Sequence, residues 1–306
     1  MRGLAHHSSV SVASLAVPAV LLAALLGALA IETGLVGVGG GADAFAGPQT
    51  VTVPPRTFIY RSEGDFSKEG VAVDGPLLTV AMTAPLEIMK YQVTVEEYAL
   101  CVSDGACIAT DAPPTANAVN AALPVTGVSY ADAEAYAEWL SKRTGQVWRL
   151  PTDRQWAFAA GDRFADDALG IPANSKNPAL RWLADYERES ARQASRDPTP
   201  QPLGTFGENA YGLADLAGNV WEWSTTCHRR VSLDAAGAIV ADSQACGIYL
   251  TEGKHRAPLS FFIRDAKSGG CSVGTPPDNL GFRLVRDHRW YAPAARAIRV
   301  ATGFDI

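Results

Sequence analysis

The segment Asn209–Trp223, NAYGLADLAGNVWEW, constrains this chain more than any other stretch. It sets two tryptophans, a tyrosine and two leucines among glycines, with Asn219 and Glu222 beside the indoles. Large apolar side chains in such a setting belong in a core, while the glycines force turns. The reading is a compact, irregular domain organised around this segment. Asn219 and Glu222 lie three residues apart in a Gly-led turn. They offer hard oxygen ligands that, with the Val220 carbonyl, suit calcium. The same two side chains can equally satisfy buried backbone groups while Trp221 and Trp223 pack the core.

Composition supports a folded domain. Of 306 residues, 47% are hydrophobic and 19% charged, which excludes disorder as the main state. A net charge of −6 provides no attraction to a phosphate backbone, so no nucleic-acid role is expected. The 28 glycines and 19 prolines argue for many turns rather than a helical bundle.

Residues 1–46 read as an export leader. Val12–Ile31 is apolar apart from Ser14, Pro18 and Gly27, and Ala44-Phe45-Ala46 is a small-x-small site. The leader is either a signal peptide cut after Ala46 or an uncleaved signal anchor, the one route to a membrane seen here. Either way the chain is expected to be exported to a periplasmic or other extracytoplasmic space. All five cysteines follow the leader. Cys101 and Cys107 flank a short turn, and Cys227 and Cys246 flank a polar excursion. Two disulfides leaving Cys271 over is the favoured arrangement, although five cysteines permit others.

Residues 47–56 are Pro-rich and read as a linker, and 57–306 as the domain. Alternating character over 57–93 suggests short strands. Thr94 with Glu97, Ser129 with Asp132, and Thr152 with Gln155 mark three helix starts, with Gly145 and Gly161 placed to end the second and third. Residues 162–210 lack clear periodicity and read as long loops, which are usually functional or held by something other than backbone ladders.

Three ordered stretches carry a resemblance. They are Pro124–Ala133 running on to Trp148–Trp156 (WRLPTDRQW), then Asn209–Trp223, then Asp278–Arg283 (DNLGFR). Together they resemble the formylglycine-generating enzyme (sulfatase-modifying factor) superfamily over about residues 80–287. The resemblance implies an α+β, formylglycine-generating-enzyme-like single domain, related to the C-type-lectin-like fold and with little regular secondary structure. It also implies structural calcium at Asn219, Val220 and Glu222, with Asp185 and Asp197 near the family's second calcium site.

The family's copper chemistry does not carry over. Its copper is held by two cysteines, and Ala257 and Phe262 stand at about those positions. Thiolates are the soft ligands Cu(I) needs, so no copper is expected. The three histidines beyond the leader lack the spacing for the iron site of the ergothioneine-type relatives. Glu252, His255, Arg256, Arg264 and Asp265 instead gather ionisable groups where the family's cleft should lie, followed by Cys271; the same residues can equally form a surface ion-pair network, with Cys271 a buried small hydrophobe.

This pattern is similar to the exported, copper-cysteine-lacking PvdO-like branch, which acts in maturation of a siderophore precursor. The implied activity is an oxidoreductase or maturation factor for a small-molecule or peptide-derived substrate. Glu252 or His255 would accept a proton and Arg256 and Arg264 would hold anionic groups, with an oxidant the sequence does not reveal. The alternatives are a non-catalytic ligand- or protein-binding module on the same fold and, last, a copper-dependent formylglycine-generating oxidase.

Overall fold

The computed structural model describes residues 47–111, 122–164, 179–193, 199–265 and 279–302, with a few isolated positions. They divide between a unit spanning Ala46–Asp287 and a separate one containing His288–Ile306.

The larger unit is a mixed α/β domain of the kind the resemblance implies. Its N-terminal strands are β1 (Thr50–Val53), β2 (Arg56–Arg61), β3 (Asp65–Lys68), β4 (Val71–Val73), β5 (Leu77–Met82) and β6 (Leu86–Met89). Helix α1 (Val95–Ser103), helix α2 (Tyr130–Thr144), strand β7 (Trp148–Arg149), helix α3 (Asp153–Ala160) and helix α4 (Ala179–Gln193) follow. Strands β8 (Trp221–Leu233) and β9 (Ile239–Glu252) form a long hairpin. Strands β10 (Ala257–Ser260), β11 (Leu280–Gly281) and β12 (Val285–Arg286) complete the unit.

One sheet has the order β1-β6-β12-β7 and another β10-β9-β8-β3-β4, with β11 parallel beside β8; β2 and β5 pair separately. Strand β12 therefore brings the chain after Phe282 against β6, far away in sequence.

The three capping boxes form as the sequence predicts. The Thr94, Ser129 and Thr152 hydroxyls accept from the backbone N–H groups of Glu97, Asp132 and Gln155, whose side chains reach back to the cap. Each satisfies two N–H groups that an open helix end leaves orphaned. Gly145 ends α2 at φ 67°, a left-handed conformation that suits glycine. Apolar faces of α3 and the first sheet meet in a core of Val53, Leu86, Ile88, Trp156, Phe158 and Val285.

Two segments differ from expectation. The Pro-rich stretch 47–56 is no tether: β1 pairs antiparallel with β6 over four residues, from Thr50↔Met89 to Val53↔Leu86. Arg56 is clamped between the rings of Phe158 and Tyr211, at 4.0 and 4.3 Å. Pro54 and Pro55 merely separate two strands. Within 162–210, α4 occupies Ala179–Gln193.

The irregular part of that region is held by side chains, as expected. Asp215 accepts hydrogen bonds from the N–H groups of Gly204 (2.6 Å) and Phe206 (2.9 Å). The Asn219 amide exchanges two 2.8 Å hydrogen bonds with the backbone of Gln201. Asn209 donates to the carbonyls of Ala159 and Ala160 at the end of α3.

Both expected disulfides are present, Cys101–Cys107 and Cys227–Cys246.

In the smaller unit, helix α5 (Ala292–Thr302) follows the exposed pair Trp290 and Tyr291.

Candidate functional site

Glu222 opens β8 and is buried. A carboxylate there needs several donors to replace water. Arg283 supplies two, Nε to Oε2 at 2.6 Å and Nη2 to Oε1 at 2.7 Å. Gln92 Nε2 donates to Oε1 and Trp156 Nε1 to Oε2, each at 2.8 Å. Arg283 spends its remaining N–H groups on the carbonyls of Met89, Lys90 and Ala214. Every polar atom of this ion pair is thus engaged, and the pair ties together the GNVWEW and GFR segments.

Glu222 therefore does not fit the calcium role. Its oxygens already accept four hydrogen bonds and its charge is balanced by Arg283. Asn219 Oδ1 is engaged by Gln201 N–H, as described. Among the described residues, no three His, Cys, Asp or Glu side chains gather as a metal-binding group. Asp197 lies outside the described residues, and Asp185 lies within α4.

A second buried cluster lies where β9 ends. Asp153, the first residue of α3, is fully buried. Arg256 grips it from Nε at 2.6 Å and from Nη2 at 3.1 Å. The Tyr60 hydroxyl also donates to Asp153. Glu252 shares a hydrogen bond with Asp153, and its Oε1 lies 3.9 Å from Arg256 Nε.

Burial alone would raise the Asp153 pKa. The hydrogen bond from Glu252, the Arg256 charge and the hydrogen bond from Tyr60 outweigh it and hold the group below the usual carboxylate range. Tyr60 moves the other way: burial, then the Asp153 charge, push its hydroxyl far above the ordinary phenol value.

The structure thus joins Glu252 and Arg256, and adds Asp153 and Tyr60, which the sequence reading missed. Arg256 also donates to the Arg61 carbonyl and lies over the rings of Tyr60 and Phe164. It is a strut between β2, α3 and the 253–256 turn. His255 packs edge-on against Trp221, whose indole N–H donates to the His255 carbonyl at 3.0 Å. Gly253 permits that packing, because a Cβ there would lie 2.8 Å from the Trp221 ring.

Arg264 belongs to a different set. It donates to Asp132 at 2.7 Å, to Asp111 at 2.8 Å and to the Ala109 carbonyl. Asp132 is the capping-box residue of α2, so Arg264 secures a helix start. These two carboxylates raise its pKa, first through the Asp132 hydrogen bond. Cys271 lies outside the described residues.

The residues do not fit a copper centre held by two thiolates. Four of the five cysteines are consumed in disulfides, so only Cys271 remains.

Comparison with known proteins decides the family. The family model of the sulfatase-modifying factor enzyme 1-like domain matches residues 40–288. The chain belongs to this family. Among its relatives is the formylglycine-generating enzyme of Mycobacterium tuberculosis, 30% identical over 181 residues, covering 54% of this chain and 57% of the relative. Another is the inactive C-alpha-formylglycine-generating enzyme 2 of Bos taurus, 31% identical over 173 residues, covering 53% and 50%. The chain spans about half the length of the curated relatives it matches. The solved structure of PvdO from Pseudomonas aeruginosa aligns with a TM-score of 0.48 at 22% identity, covering 78% of this chain and 94% of that one. CarF aligns with a TM-score of 0.40 at 21% identity, covering 78% and 98%.

Proposed function

We propose that this sulfatase-modifying-factor domain is an exported, copper-independent family member that recognises a peptide-derived ligand. The observation that carries the reading is the cysteine inventory: two disulfides and a single further cysteine, Cys271, in the sequence. Several relatives are named for generating formylglycine, an amino-acid derivative. The same ligand class is the natural one for this domain. That a relative of similar identity is named as inactive supports recognition without that oxidation. The leader read in residues 1–46 supports export.

The ionisable residues of 252–264 fit this reading. Arg256 and Arg264 are committed to protein carboxylates, and Glu252 to Asp153. They shape the domain and leave ligand contact to neighbouring surface.

A second reading, a PvdO-like oxidoreductase or maturation factor, is favoured by one feature. Glu252, Asp153 and Arg256 lie together three residues from His255 in sequence, a grouping of ionisable side chains suited to proton transfer. Removal of two electrons and two protons from the ligand would also require an external two-electron acceptor.

Incubation of the full chain with a defined peptide library, followed by affinity selection and mass spectrometry, tests both. Recognition predicts bound peptides of unchanged mass, with or without Cu(I). A loss of about two mass units that disappears in Glu252→Gln would establish the second reading instead; enrichment of no peptide would overturn the first.

A further inference from the structure

We propose that residues 288–302 bind the surface of an anionic lipid bilayer. This segment begins where the family match ends, at residue 288, and belongs to a unit separate from Ala46–Asp287. It is an addition to the family domain, and its composition differs from the rest of the chain. Residues 288–303 contain three arginines and no acidic residue, in a chain of net charge −6.

Helix α5 divides these residues by face. At 100° per residue, Arg296 and Arg299 share one side, and Ala294, Ile298 and Ala301 occupy the opposite one. Ile298, on the apolar side, is 44% exposed. Just before the helix, Trp290 is 89% exposed and stands edge-to-face with Tyr291, with Arg289 over the Tyr291 ring. Exposed Trp and Tyr beside a cationic amphipathic helix are the elements of interfacial attachment. The rings take the headgroup level, the apolar face enters the acyl boundary, and arginine favours anionic lipid.

A bilayer suits this face better than a protein groove. Helix-in-groove docking relies on several large anchors at helical spacing. Here Ile298 is the single large side chain on a face otherwise made of alanine. A shallow face of this kind gains from a fluid, wide surface and little from a shaped cleft. Eleven residues of helix extend about 16 Å, too short to cross a bilayer, so the helix lies in the interface.

Segment-resolved hydrogen exchange of the full chain tests this, because it reads the amides of α5 themselves, and Ile298→Asp and Trp290→Ser separate their response from attachment through residues 1–46. The amides of 292–302 are compared in buffer, with phosphatidylcholine vesicles, and with vesicles containing 30% phosphatidylglycerol. The expected result is roughly tenfold slower exchange with the anionic vesicles alone, reversed by high salt and abolished by Ile298→Asp. Trp290→Ser, at a position too exposed to affect folding, should weaken it in parallel. Equal exchange in all three conditions would overturn the proposal. So would equal protection by neutral vesicles, or protection in buffer that rises with protein concentration, which would indicate a second copy of the chain as partner.

Discussion

At the scale of single residues, Glu222 and Arg283 carry the largest electrostatic stake. Both are buried, and each is the other's only ionic partner among the described residues. Removing one partner strands the other charge, at a cost of about 3–5 kcal/mol. Arg283→Met should therefore lower the stability measured by urea denaturation by that amount. The double variant Glu222→Gln/Arg283→Met should recover much of the loss.

Asp153 makes a pH-dependent contribution. Its folded pKa lies below its unfolded value, so its stabilisation is present above the ordinary carboxylate range. It is lost as pH falls through the depressed folded value. Asp153→Asn should flatten the acid limb of a denaturation-versus-pH profile.

The pairing of Glu222 with Arg283 was hidden from the sequence, although both motifs were visible there. Spacing names oxygen donors but cannot show which cation reaches them, and here an arginine 61 residues away does. Asp153 escaped notice for a related reason. It reads as an ordinary first-turn acid of a helix, and its partners Tyr60 and Arg256 come from distant strands and turns.

At the scale of elements, local signals were legible and the long-range ones were not. The capping boxes of α1, α2 and α3 are local contacts three residues apart, so the sequence marks them directly. Strand β1 was obscured because its neighbouring prolines suggest a linker, and only its ladder to β6 makes it a strand. The hairpin of β8 and β9 pairs Glu222 with Glu252 at its open end, while Cys227–Cys246 crosses it.

That disulfide closes a chain loop with a sequence separation of 19, against 6 for Cys101–Cys107. Loop entropy predicts losses of about 3 and about 2 kcal/mol on removal. Denaturation midpoints of the Cys227→Ala/Cys246→Ala and Cys101→Ala/Cys107→Ala variants should fall in that order.

At the scale of the whole molecule, two acid–base limits frame the range of stability. The acid limit comes from buried carboxylates such as Asp153. The alkaline one includes Tyr98, whose hydroxyl donates to the Ile108 carbonyl and whose pKa is pushed up to about 12, first by burial. An unfolded tyrosine ionises near pH 10. The Tyr98 contribution is therefore full below that value and is lost as pH rises towards 12. Tyr98→Phe should remove this part of the alkaline slope.

The family itself was legible because its motifs keep their order along the chain. Its chemistry was not, since the resemblance puts Ala257 and Phe262 at about the positions of the copper cysteines. The charges that follow serve chiefly to brace the domain.

The proposed recognition of peptide-derived ligands without copper is tested most directly by mass spectrometry of a cysteine-containing peptide library incubated with the full chain, with and without Cu(I) and oxygen. Selective retention of peptides at unchanged mass is expected in both conditions. Copper-dependent conversion of peptide cysteine to formylglycine would contradict it.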